Sequence, residues 1–227
     1  MNIVIKLGGH IFFGKDGVNT QLLREIAGVI LSHYDGGRWA VVVGGGSPAR
    51  LYVKAARELG LDEAASDTVA VRVTRVNALL FAYLLGEKSY PRIPETLEQL
   101  REYSSLGRIV VSGGLQPGQS TVAVSALAAE ALGANRLIIA TDVDGVYTDD
   151  PKKNPDARLL REVTLSQLQR ILEKTSHRAG EYKLIDSVAL KVLSRSRIPT
   201  IYLNGKDPEN LREALQGRNP GTLVKPE

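Results

Sequence analysis

The sequence predicts an α/β protein in which a mostly parallel, open sheet lies between two layers of helices. Three short apolar runs end at paired or tripled glycines, at residues 3–9, 40–46 and 109–114. A fourth run, at residues 137–145, ends at carboxylates. Continuous Val/Ile runs are typical of buried parallel strands, and segments with helical spacing of apolar residues separate them. We therefore expect a three-layer α/β/α sandwich.

Local signals predict the individual elements in chain order. After the strand that begins at Ile3, apolar residues repeat at helical spacing near residues 20–33. The strand at residues 39–43 leads into a helix that Ser47 caps and that closes at Gly60. The same signals predict the remaining elements: helices at residues 62–85, 94–104, 121–132, 164–173, 186–196 and 207–217, and strands at residues 108–112, 136–140 and 199–203.

Length and composition indicate one globular domain over residues 1–227. A chain of 227 residues allows one large or two small domains, and no segment has the composition of a linker. Hydrophobic residues make up 43% and charged residues 24%, which is ordinary for a soluble protein with a substantial core. Because the chain has no cysteine, disulfides, thiolate metal sites and cysteine nucleophiles are excluded.

The chain shows no signal for a membrane or for nucleic acid. Lys6 and two glycines interrupt the N-terminal apolar run, so a signal peptide is not expected, and we find no apolar stretch of membrane-spanning length. We predict a cytoplasmic protein. The formal charge of +4 comes from scattered basic residues, and only 5% of the chain is aromatic. A pocket for anionic metabolites explains this charge without nucleic acid.

The strand ends predict phosphate chemistry. Glycines at the carboxyl ends of strands let main-chain N–H groups approach a ligand, and open α/β sheets bind ligands at that edge. Three glycine loops and one acidic loop suit a substrate with several phosphates together with a metal ion. We therefore expect a phosphoryl-transfer enzyme.

Each glycine motif has a second interpretation. Residues 44–49, GGGSPA, formally match the dinucleotide fingerprint, although here a strand with its own glycines precedes them, and they also suit a plain tight turn. Residues 113–120, GGLQPGQS, resemble a P-loop but carry Gln119 where that motif needs lysine. The catalytic cation must then come from elsewhere. Lys6 is the natural candidate, unless it is simply a solvated lysine at a strand end.

The acidic loop at residues 141–151 carries four carboxylates that would repel one another without a cation or N–H donors. A solvated acidic turn is the alternative. Tyr147 suits stacking on a nucleobase or ordinary packing. The histidines His10, His33 and His177 lack metal-ligand spacing and are expected at the surface, with His10 near a phosphate because it follows Gly9.

Taken in order, the segments KLGGH, VVVGGGSPAR, VVSGGLQPGQST and ATDVDGVYTDDP resemble the amino acid kinase superfamily, and within it the archaeal uridine monophosphate kinases. The resemblance covers almost the whole chain. It is specific at GGLQPGQST, which is similar to that family's uridylate-binding loop, and at Asp67, which matches its ribose-binding aspartate.

The resemblance implies a role for each matching residue, with ATP and UMP as substrates and Mg²⁺ as the metal. Catalytic roles would fall to Lys6, Asp144 and Asp186. ATP would be bound by Lys6, Gly8, Gly9, His10, Gly46, Arg50, Thr141, Asp142, Tyr147 and Asp150. UMP would be bound by Gly44, Gly45, Arg50, Asp67, Gly114, Leu115, Gln116, Pro117, Gly118, Gln119, Ser120 and Thr121.

Some relatives carry an aspartate after the threonine that matches Thr121, but Val122 stands here, so no metal ligand is assigned. Another kinase of the same fold, acting on acetylglutamate, carbamate or isopentenyl phosphate, is the alternative enzyme. A non-catalytic store of oxoanions is the alternative class. The resemblance also implies a homohexamer, and the surplus of apolar positions on the helix at residues 62–85 places that helix at an interface.

Overall fold

The computed structural model of the protein describes residues 1–14, 16–176 and 184–226, and for residues 174–176 the backbone alone. Its strands are β1 (Ile3–Leu7), β2 (Phe13–Gly14), β3 (Gly17–Val18), β4 (Trp39–Val43), β5 (Val110–Ser112), β6 (Arg136–Thr141), β7 (Val146–Tyr147), β8 (Leu159–Leu160), β9 (Glu162–Thr164), β10 (Thr200–Asn204) and β11 (Thr222–Lys225). Its helices are α1 (Gly9–Phe12), α2 (Thr20–His33), α3 (Gly46–Glu58), α4 (Glu63–Leu85), α5 (Leu97–Ser104), α6 (Thr121–Leu132), α7 (Leu165–Ser176), α8 (Ser187–Ser196) and α9 (Pro208–Leu215).

A seven-stranded sheet forms the middle layer, in the order β5-β4-β1-β6-β10-β11-β9. Strand β1 pairs in parallel with β4 and β6, β4 with β5, and β6 with β10, whereas β11 runs antiparallel to β10. The expectation of a mostly parallel open sheet is confirmed. Because the four strands β5, β4, β1 and β6 are neighbours and parallel, the loops that follow them meet at one edge.

Alternate strand residues pack into two separate cores, one on each face of the sheet. On β1, Ile3, Ile5 and Leu7 join a core that includes α2, α4 and α9. Val4 of β1 joins the other core, with α5, α6, α7 and α8. Successive side chains of a strand point to opposite faces, so a sheet covered on both sides reads as a continuous apolar run. The three-layer arrangement is confirmed, while the single-domain boundary stays a prediction that the shared sheet supports.

Most helices lie where the sequence predicts them, and two begin elsewhere. Helix α3 begins at Gly46 with Gly45 as its N-cap, so the prediction that Ser47 caps it was wrong. Helix α5 begins at Leu97 rather than near Pro94, because the Thr96 hydroxyl accepts the N–H of Gln99 at 3.2 Å and so satisfies the first turn.

The sequence prediction missed four short strand pairings. These are the β2–β3 and β7–β8 pairs of two-residue strands and the pairings of β9 and β11 at the end of the sheet. A two-residue strand is too short to show a periodic pattern. The surface position expected for His177 lies outside the described residues.

The expectation that no segment is long and apolar enough for a membrane was wrong for one helix. The segment Glu63–Lys88, which is α4 and the turn after it, is long and apolar enough to cross a membrane, judged by length and composition alone. A helix packed inside a folded domain can have the same length and apolar composition, and its few polar side chains then make hydrogen bonds within that domain. In α4, Thr74 and Asn77 are buried and hydrogen-bonded to other parts of the chain.

Candidate functional site

The glycine turns after β1 and β4 lie against each other at the carboxyl edge of the sheet. A Cβ atom on Gly9 would lie 2.1 Å from the backbone nitrogen of Gly46, and one on Gly44 would lie 2.8 Å from that of Gly9. Gly46 also has a φ of +66°, which side-chain-bearing residues rarely adopt. The glycines are therefore required for the close packing of two turns, in addition to any approach of a ligand.

A polar cavity of about 330 Å³ opens at the ends of β1, β4 and β6. We call it the strand-end cavity. It combines glycine backbone, two basic side chains from the strands and helices, and two of the four carboxylates of the acidic loop. Its lining residues are Lys6, Gly8, Gly9, His10, Gly44, Gly45, Gly46, Arg50, Thr121, Thr141, Asp142, Val143, Asp150, Lys152 and Leu184.

Lys6 places a desolvated amine in this cavity. Burial lowers its pKa from 10.5 to about 8, while the negative charge of Asp142 acts in the opposite direction. A Cβ atom on Gly8 would lie 3.5 Å from the Lys6 Nζ atom, so the amine reaches the first glycine turn. A cation with little hydration gains strongly from an incoming anion, and this favours a phosphate ligand over a solvated role for Lys6.

The acidic loop supplies carboxylates that already have partners. Lys152 donates from Nζ to Asp142 at 2.6 Å. Burial acts to raise the pKa of Asp142, but the hydrogen bond from Lys152 and the nearby positive charge outweigh it and hold this pKa below its ordinary value. Asp144 accepts hydrogen bonds from Asn204 and from the Tyr147 hydroxyl, both at 2.9 Å. The repulsion expected among these carboxylates is thus relieved in part by cations and donors of the chain.

His10 stands at the rim of the strand-end cavity. Burial lowers its pKa, the positive charges of Arg50, Lys152 and Lys6 act in the same direction, and Asp142 opposes them. A low pKa keeps the ring neutral at pH 7, so His10 contributes hydrogen bonding rather than charge to the cavity.

A second cavity of about 260 Å³ lies between α4 and the loop before α6. We call it the loop cavity. Asp67, from the second turn of α4, accepts the backbone N–H of Gly118 at 2.9 Å and so connects the two walls. The lining residues are Gly45, Gly46, Ala49, Arg50, Asp67, Ala70, Val71, Thr74, Gly114, Gln116, Pro117, Gly118, Gln119, Ser120 and Thr121.

Helix α4 holds both neighbouring glycine turns. Thr74 accepts the N–H of Gly114 at 2.7 Å, and Asn77 donates to the carbonyl of Gly44 at 2.9 Å. A Cβ atom on Gly113 would lie 2.6 Å from the Thr74 hydroxyl oxygen, so glycine is required there for the helix to approach the loop. The Gly114 N–H is consequently taken by the protein itself and does not face a ligand.

The strand-end cavity and the loop cavity adjoin. Both are lined by Gly45, Gly46, Arg50 and Thr121. A guanidinium, glycine N–H groups and a helix N-terminus at a junction of two cavities suit two anionic groups that meet there. A larger cavity of about 440 Å³ lies beyond His10, against α2, but none of the acidic-loop carboxylates or the glycines of the β4 and β5 turns lines it.

The family model described as "Amino acid kinase family" matches residues 1–204. The chain belongs to the amino acid kinase family. It is 44% identical over its full length to a protein named uridylate kinase from Metallosphaera sedula, and also 44% identical to one from Methanothermobacter thermautotrophicus, with full coverage of both relatives. Among solved structures, a uridylate kinase from Archaeoglobus fulgidus is similar with a TM-score of 0.88 at 37% identity, covering 99% of this chain and 100% of that one.

The amino acid kinase fold brings most of the expected site residues together. Of the residues expected to bind ATP, all but Tyr147 line the strand-end cavity, and of those expected to bind UMP, all but Gly44 and Leu115 line the loop cavity. Gly44 lines the strand-end cavity instead. Leu115 packs against the core that contains α6. Tyr147 lines neither cavity and hydrogen-bonds Asp144.

Two of the three acids and bases expected to be catalytic lie outside both cavities. Asp144 is held by Asn204 and Tyr147. Asp186 caps α8, where one oxygen accepts the N–H groups of Val188 and Ala189 and the other accepts the hydroxyl of Ser120. Ser120 in turn caps α6. These contacts give Asp186 a position between the N-termini of two helices.

Sequence reasoning missed several residues of the site in this amino acid kinase. Val71, Thr74 and Asn77 lie on α4, where helical periodicity alone does not show which residues face a loop distant in sequence. Lys152 lines the strand-end cavity, and its position directly after the acidic loop was the signal that it could neutralise one of that loop's carboxylates. Within the described parts of the chain, no group of three or more His, Asp or Glu side chains is arranged to hold a metal ion by itself.

Proposed function

We propose that the chain transfers the γ-phosphoryl group of ATP to UMP, giving ADP and UDP. The observation that carries the proposal is the pair of adjoining cavities that share Arg50 and the Gly45–Gly46 turn. The choice of UMP as the acceptor is supported by the relatives named uridylate kinase, which match this chain over its whole length. UMP would occupy the loop cavity and ATP the strand-end cavity.

The chemistry needs charge cancellation more than proton transfer. A nucleoside monophosphate is largely dianionic at pH 7, since its second pKa is about 6, so its oxygen attacks without a general base. Two polyanions must then meet in line. Arg50 supplies positive charge at the junction and Lys6 supplies it in the strand-end cavity, while the N-terminus of α6 at Thr121 adds its dipole. No Ser, His and Asp relay is required.

We propose that Asp144 and Asp186, which the resemblance implies to be catalytic, also hold neighbouring groups of the site in position. Asp186 holds Ser120, which opens α6 beside the shared residue Thr121. Asp144 connects two groups by hydrogen bonds: Tyr147, within the acidic loop, and Asn204, at the end of β10. Their catalytic roles, like the individual contacts to ATP and UMP, stay predictions from the resemblance.

The donor set of the strand-end cavity fits Mg²⁺. Magnesium is commonly bound by one or two carboxylates together with substrate phosphates. Asp142 and Asp150 both line this cavity and would hold the ion with the phosphate oxygens. Asp142 is paired with Lys152, which must move aside for a metal to bind this carboxylate. When bound, the ion supplies further positive charge to the phosphates.

We propose a homo-oligomer, with the hexamer as the family expectation. On α4, Val76, Leu79, Leu80 and Tyr83 are exposed at a spacing of three or four residues, which places them on one face. Leu51 and Tyr52 are also exposed on α3, which packs against α4. An apolar stripe of this kind supports a contact between copies of the chain. A cytoplasmic location without nucleic-acid partners also stays a prediction.

An ADP-release assay with ATP and a panel of acceptors tests the function. The panel contains UMP, CMP, acetylglutamate, carbamate and isopentenyl phosphate, with nucleotide products identified by chromatography. We expect UMP-dependent ADP release with UDP as the product. Formation of an acyl phosphate, or of isopentenyl diphosphate in place of UDP, would assign the chain to another kinase of the fold. ATP binding without turnover of any acceptor would indicate the storage class.

A further inference from the structure

Arg75 on α4 binds the loop that forms one wall of the loop cavity. Its side chain is only 12% exposed. The guanidinium donates from Nε to the carbonyl of Gly114 at 3.1 Å and from Nη2 to the carbonyl of Leu115 at 2.9 Å. Glu95 accepts from Nη1 at 2.5 Å and so fixes the other side of the guanidinium. The planar fork of arginine suits two neighbouring carbonyls and one carboxylate at once.

These bonds also determine where the loop's N–H groups point. In a planar trans peptide unit the N–H and the C=O point in opposite directions. When Arg75 holds the carbonyl oxygens of Gly114 and Leu115, the N–H groups of Leu115 and Gln116 point away from it. Neither N–H donates to a partner within the described ranges. Gln116 lines the loop cavity, whereas Arg75 does not.

We propose that Arg75 is a positioning residue for the acceptor, a role that rests on the function proposed above. It turns the peptide unit between Leu115 and Gln116 so that the N–H group of Gln116, a residue that lines the loop cavity, faces the UMP there. The buried arginine therefore contributes a hydrogen-bond donor to the acceptor without touching it. Glu95 contributes by holding the guanidinium in the plane that serves both carbonyls.

Arg72 is a matched control on the same helix. It pairs with the same carboxylate of Glu95, at 3.4 Å, but its side chain is 65% exposed. It makes no hydrogen bond to the loop at residues 113–118 within the part of the chain that the structure describes. Removing Arg72 deletes the same charge from the same neighbourhood and leaves the loop bonds in place.

Steady-state kinetics of Arg75→Gln, Arg75→Lys and Arg72→Gln test the proposal. We expect Arg75→Gln to raise the KM for UMP at least tenfold and to change the KM for ATP less than twofold. Lysine has no planar fork for two carbonyls, so Arg75→Lys should fall between Arg75→Gln and the wild type. Arg72→Gln should leave both constants within twofold. An equal rise of both KM values in Arg75→Gln, or an unchanged KM for UMP, would overturn the proposal.

Amide hydrogen exchange of the free protein separates this inference from the proposed function. Gly114 and Gly118 donate hydrogen bonds to Thr74 and Asp67, so their exchange reports the order of the loop without any substrate. We expect faster exchange across residues 114–118 in Arg75→Gln than in Arg72→Gln. Equal exchange in the two variants would refute the role of Arg75 even if UMP is the acceptor. Faster exchange in a protein that does not phosphorylate UMP would refute the proposed acceptor and retain the loop-holding role.

Discussion

Asp67 accepts a hydrogen bond from the backbone N–H of Gly118 at 2.9 Å. The bond uses Oδ2, and Oδ1 has no hydrogen-bond partner among the residues that the structure describes. The carboxylate thus fixes the loop with one oxygen and presents the other beside the loop cavity, where a ribose hydroxyl of UMP would donate to it.

We predict that Asp67→Ala raises the KM for UMP at least tenfold and leaves the KM for ATP almost unchanged. A charge-assisted hydrogen bond contributes roughly 1.5–3 kcal/mol, which corresponds to a factor of ten or more. The control is Asp62→Ala, which removes the N-cap of the same helix outside both cavities. It should lower the free energy of unfolding and leave both KM values unchanged. If Asp67→Ala weakened the binding of ATP and not that of UMP, Asp67 would bind the ribose of the donor. ATP would then be assigned to the loop cavity and UMP to the strand-end cavity.

Lys6→Ala should lower kcat on the order of 10² to 10³ and leave the KM for UMP nearly unchanged. This magnitude is typical for the loss of one well-placed group that stabilises charge in a transition state. Lys54→Ala, which removes an exposed lysine of α3, is the control and should have no effect. An unchanged kcat in Lys6→Ala would identify Lys6 as a lysine without a catalytic role.

Binding of ATP should take up a proton near pH 8–9. The Lys6 pKa of about 8 leaves the amine mostly neutral at pH 9, and arriving phosphates favour its charged form. Titration calorimetry with a non-hydrolysable ATP analogue in two buffers of different ionisation enthalpy measures this uptake. Uptake should be smaller at pH 7 and absent in Lys6→Met. Equal uptake in Lys6→Met would assign the proton to another group.

The same shift predicts how pH changes stability. The folded-state pKa of Lys6 lies below the ordinary value of 10.5, so the unfolded chain binds more protons between pH 8 and 10.5. The Lys6 contribution to the free energy of unfolding therefore rises with pH in this window. Lys6→Met should stabilise the protein most below pH 8 and progressively less toward pH 10.5, as measured by chemical denaturation. If the difference in the free energy of unfolding between the two proteins stayed constant over this range, the lowered pKa of Lys6 would be contradicted.

Leu80→Glu should convert the oligomer into smaller species. A charge on the exposed apolar face of α4 would be desolvated in a contact between copies, which is costly. Light scattering at micromolar protein measures the mass of both proteins. Leu106→Glu changes another exposed leucine, away from this face, and should leave the mass unchanged. A wild-type protein that is already monomeric would remove the basis for the predicted interface.

The sequence predicts the sheet and the glycine and acidic loops at its edge because their signals are local, whereas the assignment of residues to ATP or UMP came from the family resemblance. Continuous Val/Ile runs such as that of β4 indicate buried strands, and the residues directly after parallel strands reach one edge. Arg75 and Asn77 have no local signal, because both lie in a helix and bind loops through pairings that depend on how α4 packs. The cap of α3 was mispredicted because Ser47 has the usual residue type, yet Gly45 fits the crowded turn where a side chain does not.

The contact between the Gly9 and Gly46 turns has a consequence for how substrate range can evolve. The two turns meet through their backbones with no side chain between them, and this contact fixes the distance between the ends of β1 and β4. In the proposed arrangement, that distance would set how far apart a donor and an acceptor phosphate lie at Arg50. The wall proposed to bind the rest of the acceptor comes from α4 and residues 114–121, and it lines the loop cavity next to this contact. Substitutions in that wall can alter which molecule is phosphorylated while the span across which the phosphoryl group travels stays the same.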